Sequence, residues 1–102
     1  MNKAEMLKHL MDRQLVLYES KNKDYGDSFS KSFKEFGIVA PVVRMNDKME
    51  RIKTLSKSSE ARVKDESIRD TLLDLANYAL MTVVELDLEK KEVYNEDLKL
   101  NI

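Results

Sequence analysis

The sequence has little of what builds disulfides, tight turns or membrane spans. It has no cysteine, no tryptophan, one proline and two glycines in 102 residues. Without cysteine there is no disulfide, thiolate metal site or cysteine nucleophile, and we expect a reducing, cytoplasmic setting. So few turn-forming residues argue against an all-β chain. A bound metal must use oxygen ligands or His9, to which we assign no other role.

Charge of neither sign dominates, although charged residues are abundant. They make up 36% of the chain, but 18 basic and 19 acidic residues leave a formal net charge of −1. We therefore expect neither a nucleic-acid polymer nor a membrane as a partner. No apolar run reaches the roughly 20 residues that span a bilayer. The charged segment 1–10 also differs from a signal peptide.

Apolar residues recur at helical spacing in four segments, which predicts an all-α fold. The predicted helices cover about residues 4–22, 29–36, 41–56 and 65–91, and a tail follows over about 92–102. Residues 21–28 are predicted as a loop with a helix N-cap at Asp27 or Ser28. Residues 57–64 are a connection or the start of the last helix. We expect one helical-bundle domain over 1–102, completed by oligomerisation.

Each later helix has an apolar face that we expect in the core. In the second helix, Phe29, Phe33 and Phe36 share one face. Gly37 is placed to end that helix, and Pro41 suits the first turn of the next. The expected seam of the third helix is Val42, Met45, Met49 and Ile52. The expected seam of the fourth is Ile68, Leu72, Leu75, Ala76, Ala79, Val83 and Leu86.

The last helix also carries a polar stripe that its core seam does not require. Glu66, Asp70, Asp74 and Asn77 lie on a second arc, beside apolar residues such as Leu80. Buried carboxylates need a cation or hydrogen bonds, and Mg²⁺ takes oxygen ligands together with waters and substrate phosphates. Alternatively, the acidic residues favour the helix N-terminus, and the rest of the stripe faces solvent or caps a neighbour. The stripe alone does not decide between these interpretations.

The third helix adds charged groups that suit a metal-bound polyphosphate. Asp47 and Glu50 are further candidate ligands, while Arg44, Lys48 and Arg51 are candidate phosphate contacts. The alternative is a solvated, salt-bridged helix surface. Both interpretations stay open at this point.

The predicted loop over residues 21–28 has a similar double interpretation. Gly26 permits a tight turn, Tyr25 can stack on a base, and Lys21 or Lys23 can reach a phosphate. The alternative is a plain helix connection with an anchoring tyrosine.

Three blocks of the sequence resemble those of a known family. They are Lys23-Asp24-Tyr25-Gly26-Asp27-Ser28-Phe29, Arg44-x-x-Asp47-Lys48-x-x-Arg51, and Glu66-Ser67-x-x-Asp70-Thr71-Leu72-Leu73-Asp74-Leu75-Ala76-Asn77-Tyr78. In this order and spacing they resemble the nucleotide-modification-associated domain 1 family. That family is found largely in bacteriophages and bacteria, beside nucleotide-modification genes. The resemblance implies a phage-type protein that handles a nucleotide.

Acidic pairs on two successive helices are similar, more distantly, to the all-α nucleoside-triphosphate pyrophosphatases of the MazG and dimeric dUTPase type. In those enzymes carboxylates bind Mg²⁺ and a water attacks the α-phosphate of the nucleotide. The similarity implies a set of metal ligands: Asp47, Glu50, Glu66, Asp70 and Asp74. The two resemblances together imply a set of nucleotide contacts: Lys23, Asp24, Tyr25, Arg44, Lys48, Arg51 and Asn77.

Three functions stay open from the sequence. The first is Mg²⁺-dependent nucleotide binding with hydrolysis, by a pyrophosphohydrolase of a nucleoside triphosphate or modified nucleotide. The second is a non-catalytic phage protein that sequesters a nucleotide or cyclic-nucleotide immune signal, and the third is a helical scaffold or interaction module. In each we expect a homo-dimer or homo-tetramer, because apolar flanks of the last helix would otherwise be exposed. The acidic residues are spaced by four instead of three, so we assign no catalytic residue.

Overall fold

A computed structural model describes residues 1–25 and 27–90, apart from the side chains of Tyr25, Ala61, Arg62 and Val63. Over these residues the chain forms four helices and no strand: α1 Lys3–Tyr25, α2 Ser28–Phe36, α3 Val39–Leu55 and α4 Ala61–Glu89. The predicted all-α fold class is confirmed. None of the described helices combines the length and the apolar character needed to cross a bilayer. The tail predicted over about 92–102 lies outside the described residues.

The first helix, α1, begins with a reciprocal cap and continues further than predicted. The backbone N–H of Glu5 donates to the side-chain oxygen of Asn2 at 2.8 Å, and the Asn2 amide donates to the Glu5 carboxylate at 2.8 Å. At its other end α1 reaches Tyr25, so the prediction of a loop is wrong for residues 21–25. No glycine or proline interrupts the chain before Gly26, and lysine is a good helix former. This extension fixes the direction of the side chains in the last turns of α1.

The second helix, α2, lies between two backbone positions with positive φ. Asp27 precedes it with φ 60° and makes no side-chain cap hydrogen bond, so the predicted N-cap is right in position and wrong in mechanism. Gly37 follows with φ 72° and ψ −156°, a conformation that is essentially restricted to glycine. Its N–H donates to the Phe33 carbonyl at 2.7 Å. Gly37 therefore ends α2 as predicted.

The buried core lies among α2, α3 and α4. The third helix packs most extensively on α4, α2 packs on α3, and α1 touches α4 only sparsely. The side chains of Phe29, Phe33 and Pro41 are buried, and Pro41 lies in the first turn of α3 as predicted. Phe36, predicted on the same core face, is 64% exposed. It is the last residue of α2, beside the turn at Gly37, so its ring lies past the packed part of the helix.

The core seam predicted for α4 is wrong. Most of that seam is exposed, and only its members Ile68 and Leu75 are half-buried. The buried side chains of α4 are instead Thr71, Thr82 and Glu85. Each threonine hydroxyl donates to the carbonyl four residues earlier, at 2.6 Å. A small threonine whose hydroxyl is bonded to its own helix lets a neighbouring helix approach closely. A search for apolar residues at helical spacing does not find such positions.

The seam predicted for α3 is rotated by part of a turn. Val42 and Met49 are exposed, whereas Met45 and Ile52 are half-buried as expected. The remaining inward positions of α3 are Ala40, Pro41, Lys48 and Leu55. The rotation places Lys48, a candidate phosphate contact whose alternative was a solvated face, on the side that faces α4.

Candidate functional site

A pocket lies where α1, α3 and α4 meet beside the start of α2. Its volume is about 380 Å³, within the range of small-molecule sites. The first helix contributes Tyr18, Lys21 and Asn22, and α4 contributes Asp74, Asn77, Tyr78 and Met81. Ser28, Phe29 and Arg44 complete the wall. Aromatic, amide and basic side chains therefore share one small cavity.

Tyr78 is the centre of the aromatic wall. The Phe29 ring stacks on it, with ring centroids 6.0 Å apart and planes inclined by 27°. The Arg44 guanidinium carbon and the Lys48 Nζ each lie 6.0 Å from the Tyr78 centroid. Aromatic pairs contribute about 0.5–1.5 kcal/mol, and cations over a ring about 0.5–1 kcal/mol at exposed sites. Tyr78 thus holds two α3 cations beside the pocket.

Asp74 lies between two lysines from different helices. Its Oδ1 is 3.8 Å from Lys21 Nζ on α1, and its Oδ2 is 3.4 Å from Lys48 Nζ on α3. Asp74 and Lys48 are half-buried, whereas Lys21 is exposed. With Arg44, the pocket and its edge present three cations around one carboxylate among the described residues. The surplus positive charge suits an anionic ligand.

Two hydrogen bonds place α1 against this wall. The Gln14 side-chain amide donates to the Leu73 carbonyl at 2.6 Å, and the Asn77 amide donates to the Gln14 carbonyl at 3.4 Å. Asn77 and Asn22 both reach the pocket, where their amides offer the donors and acceptors that recognise base edges. Amide groups and cations are therefore available to the same bound molecule.

The structure brings some of the predicted nucleotide contacts together and leaves others apart. Arg44 and Asn77 line the pocket, and Lys48 lies at its edge against Tyr78. The predicted contacts that are exposed and do not line it are Lys23, Asp24 and Arg51. The Tyr25 side chain lies outside the described residues.

The continued helix explains this outcome at the end of α1. Because the chain stays helical to Tyr25, the residues that line the pocket are Tyr18, Lys21 and Asn22, which follow the helical period. In an irregular loop, Lys23 would have been an equally good candidate. Lys21 was considered as a phosphate contact, whereas Tyr18 and Asn22 were missed.

The carboxylates predicted as metal ligands do not converge on one point. Among residues 1–25 and 27–90, no three histidine, aspartate or glutamate side chains lie close enough to hold a metal ion. Asp74 lines the pocket, and Glu50 pairs with Lys53 at 3.1 Å. Asp47, Glu66 and Asp70 are exposed. The described side chains of one chain therefore do not form an all-protein magnesium cage.

A magnesium ion that arrives with a nucleotide needs fewer protein ligands. Mg²⁺ is commonly held by one or two carboxylates together with substrate phosphates and waters. Asp70 and Asp74 lie four residues apart, on consecutive turns of α4. They are the residues that fit such a partial shell, and the wider ligand set stays a prediction.

Several pocket residues were missed from the sequence. Phe29 was assigned to the core alone, yet it is both buried and part of the pocket wall. Tyr78 ends the third sequence block without a role, and Met81 belongs to neither a predicted core seam nor a predicted site. The sequence does contain a pattern that points to Tyr78, because Asp74, Asn77 and Tyr78 share one face of the helix. An aromatic residue on a polar face is a better ligand candidate than a carboxylate alone.

The fold and the pocket define an all-α domain with a basic, aromatic cavity of small-molecule size. The profile of the nucleotide modification associated domain 1 family matches residues 21–86. The match covers well over half of the chain and includes every pocket residue except Tyr18. The chain therefore belongs to this family, as its sequence blocks predicted. No curated protein and no solved structure matches the chain.

Proposed function

We propose that this chain is a nucleotide-binding protein, and that the pocket between α1, α3 and α4 is its site. The observation that carries the proposal is the group of cations, Lys21, Arg44 and Lys48, beside the aromatic wall at Tyr78. A nucleotide needs both elements, because it joins a polyanion to a flat ring. The family description, which associates the domain with nucleotide modification, supports the same ligand class.

The phosphates bind at the cationic edge of the pocket. Lys21 and Lys48 approach it from opposite helices, and both already pair with a carboxylate. Arg44 adds a planar donor group that matches phosphate oxygens. Charge-assisted hydrogen bonds of this kind contribute about 1.5–3 kcal/mol each. A triphosphate or a modified nucleotide gives these cations more partners than a neutral nucleoside.

The base binds at the aromatic side. Tyr18, Phe29 and Met81 offer apolar surface beside Tyr78, and Asn22 and Asn77 offer polar groups at the same depth. Base stacking on aromatic side chains contributes about 1–3 kcal/mol in single-stranded nucleic-acid complexes. The ligand therefore lies with its base against the aromatic wall and its phosphates between Lys21 of α1 and the cations of α3.

A second candidate function is hydrolysis of the bound nucleotide, as a pyrophosphohydrolase. The observation that favours it is the spacing of Asp70 and Asp74 on consecutive turns beside the phosphate edge. When bound, Mg²⁺ supplies charge neutralisation and a polarised water. The pairing of Asp74 with two lysines favours binding without turnover, the mode of a phage protein that sequesters a nucleotide or cyclic-nucleotide signal. We propose the cytoplasm as the setting, that of the host if the gene is phage-borne.

Paired lysine variants test the site. Lys21→Ala removes a pocket cation, whereas Lys23→Ala removes an exposed cation two residues away on the same helix. We expect Lys21→Ala to raise the Kd of a nucleoside triphosphate at least about 10-fold, since one charge-assisted hydrogen bond is lost. Lys23→Ala should change it less than about 3-fold. The measurement is calorimetric titration across a nucleotide panel with Mg²⁺.

Arg44→Ala and Arg51→Ala form a second matched pair on α3, with the larger effect expected at Arg44. Equal effects within either pair would place the ligand elsewhere. If no nucleotide in the panel binds or raises the Tm, the proposed function is wrong and a scaffold role becomes the better account.

The variant Asp74→Asn separates binding from hydrolysis. It keeps the size of the side chain and removes the charge that competes with phosphate for Lys21 and Lys48. A binding protein should then hold phosphates several-fold more tightly, with or without EDTA. A metal-dependent hydrolase should instead lose affinity in Mg²⁺ and stop releasing pyrophosphate, and Asp70→Asn should do the same. Product analysis of the wild type decides directly: intact nucleotide recovered from the denatured complex excludes turnover.

A further inference from the structure

An apolar groove lies along α1 and α4, next to the pocket. Its volume is about 460 Å³. Its walls include Leu7, Met11 and Leu15 on α1 and Leu80 and Val84 on α4. All five side chains are more than half exposed, and Leu80 is 58% exposed. A large solvent-exposed apolar groove on a monomer marks a surface that something covers.

Two charged side chains line the groove, whose walls are otherwise mostly apolar: Asp27, which is exposed, and Glu85. Glu85 lines it but is buried, and its Oε2 accepts a hydrogen bond from Ser30 Oγ at 3.1 Å. The polar face of α1 is elsewhere, where Lys8 pairs with Asp12 at 2.8 Å. The hydrogen bond and the charge of Asp12 raise the pKa of Lys8. The charged face of α1 is stable in contact with solvent. The apolar face of α1 is therefore the one that needs a packing partner, and the described residues do not supply it.

The exposed area approaches what a stable dimer needs. The five groove side chains, each 54–59% exposed, together expose on the order of several hundred square ångströms, against roughly 800 Å² per partner in a standard interface. The buried apolar core of the described residues is small by comparison, since it consists of Phe29, Phe33 and Pro41. A net charge of −1 opposes self-association only weakly.

We propose that a second copy of this chain covers the groove, with α1 and α4 of each protomer packed against α1 and α4 of the other. The same patch then serves both protomers, as a two-fold axis requires. The proposal also concerns the pocket, and in this respect it rests on the proposed function. Tyr18, Phe29, Asn77 and Met81 line both the groove and the pocket. The partner therefore closes the base end of each nucleotide site.

The first test is the oligomeric state of the full chain without nucleotide. Sedimentation velocity at micromolar concentration should give a dimer. Leu80→Asp should raise the dimer dissociation constant at least about 100-fold, because each interface would bury two unpaired carboxylates. Val39→Asp is the matched control, since Val39 on α3 is 61% exposed and does not line the groove. A wild-type monomer at all concentrations would overturn the proposal and leave the groove to residues 91–102 or to another protein.

A second measurement does not depend on the folding of a charged variant. The chain has no cysteine, so Val84→Cys introduces a single thiol in the groove and Val39→Cys a single thiol outside it. A short bis-maleimide should link Val84→Cys into covalent dimers and leave Val39→Cys without a covalent link between its protomers. Equal crosslinking of the two variants would contradict the proposed interface.

A third measurement tests the shared site. Nucleotide should bind dimer about 10-fold more tightly than monomer, and by reciprocity should lower the dimer dissociation constant. Equal affinity of wild type and Leu80→Asp would overturn the partner's role in the site. A dimer that binds no nucleotide would instead reject the proposed function and support the interface alone.

Discussion

Within residues 1–25 and 27–90, the helix α4 has one covered side and one open, exposed side, and the covered side is the less apolar. On the covered side Thr71 and Thr82 are buried. On the open side Leu72, Leu80 and Val83 are each at least half exposed. The difference shows that hydrophobicity alone does not decide which side of α4 the other helices cover. Within the described residues, the side rich in leucine and valine stays exposed.

The two sides also differ in how they are held. The covered side has directional contacts, including the Glu85 hydrogen bond to Ser30 and the Lys48 pair with Asp74. The open side meets α1 through little more than the hydrogen bonds of Gln14. The pocket lies between the two sides of α4. Its α3 wall is therefore held by many contacts, whereas its α1 wall is held by few. Differences in stability between the two sides can be measured directly.

The largest expected effect is on the covered side. Phe33→Ala removes a ring that is 3% exposed, and we expect a loss of about 3–5 kcal/mol in the free energy of unfolding. Phe36→Ala, in the same helix but exposed, should cost less than about 0.5 kcal/mol. Urea denaturation of both variants gives the comparison. Similar losses would mean that Phe36 also packs in a core.

An intermediate effect is expected at the buried polar contact. Glu85→Ala leaves the buried Ser30 hydroxyl without its acceptor and should cost about 1–3 kcal/mol. Glu85→Gln keeps an acceptor oxygen at the same length and should cost clearly less. Thermal unfolding at one fixed protein concentration measures both. Equal losses would show that the negative charge of Glu85, and not the hydrogen bond, is what matters.

The smallest effect is expected where α1 meets α4. Gln14→Ala removes the hydrogen bond to the Leu73 carbonyl and should cost about 0.5–1.5 kcal/mol. The loss should be local, with faster hydrogen exchange at α1 amides and unchanged exchange in α3. Arg13→Ala, an exposed neighbour, should leave both unchanged. Uniformly faster exchange would contradict the separation into two sides.

Much of the fold could be predicted from the sequence. The number of helices, the end of α2 at Gly37 and the place of Pro41 in the first turn of α3 were all correct. These features depend on local backbone preferences, which a residue carries into any context. Which side of each helix is buried was less predictable. The sequence allows Lys48 to be either a phosphate contact or part of a solvated surface, and the structure places it against α4. Phe36, expected in the core, is exposed.

The candidate site was predictable only in part, for a related reason. Charge patterns identified Arg44, Lys48, Asp74 and Asn77, which meet in space. Tyr18 comes from a helix more than 50 residues earlier in the chain than Asp74, and no local pattern connects the two. The site depends on how α1 crosses α4, which the sequence pattern does not specify.

The sequence by itself determined that this chain is helical, where its turns fall and which family it belongs to, because helical period, glycine and proline act locally. Only the tertiary structure decided which side of α4 is covered. A small threonine whose hydroxyl is bonded to its own helix can pack between adjacent helices as well as leucine does. The same choice brings Lys21, Arg44 and Lys48 to one pocket and, among the described residues, leaves the groove between α1 and α4 exposed.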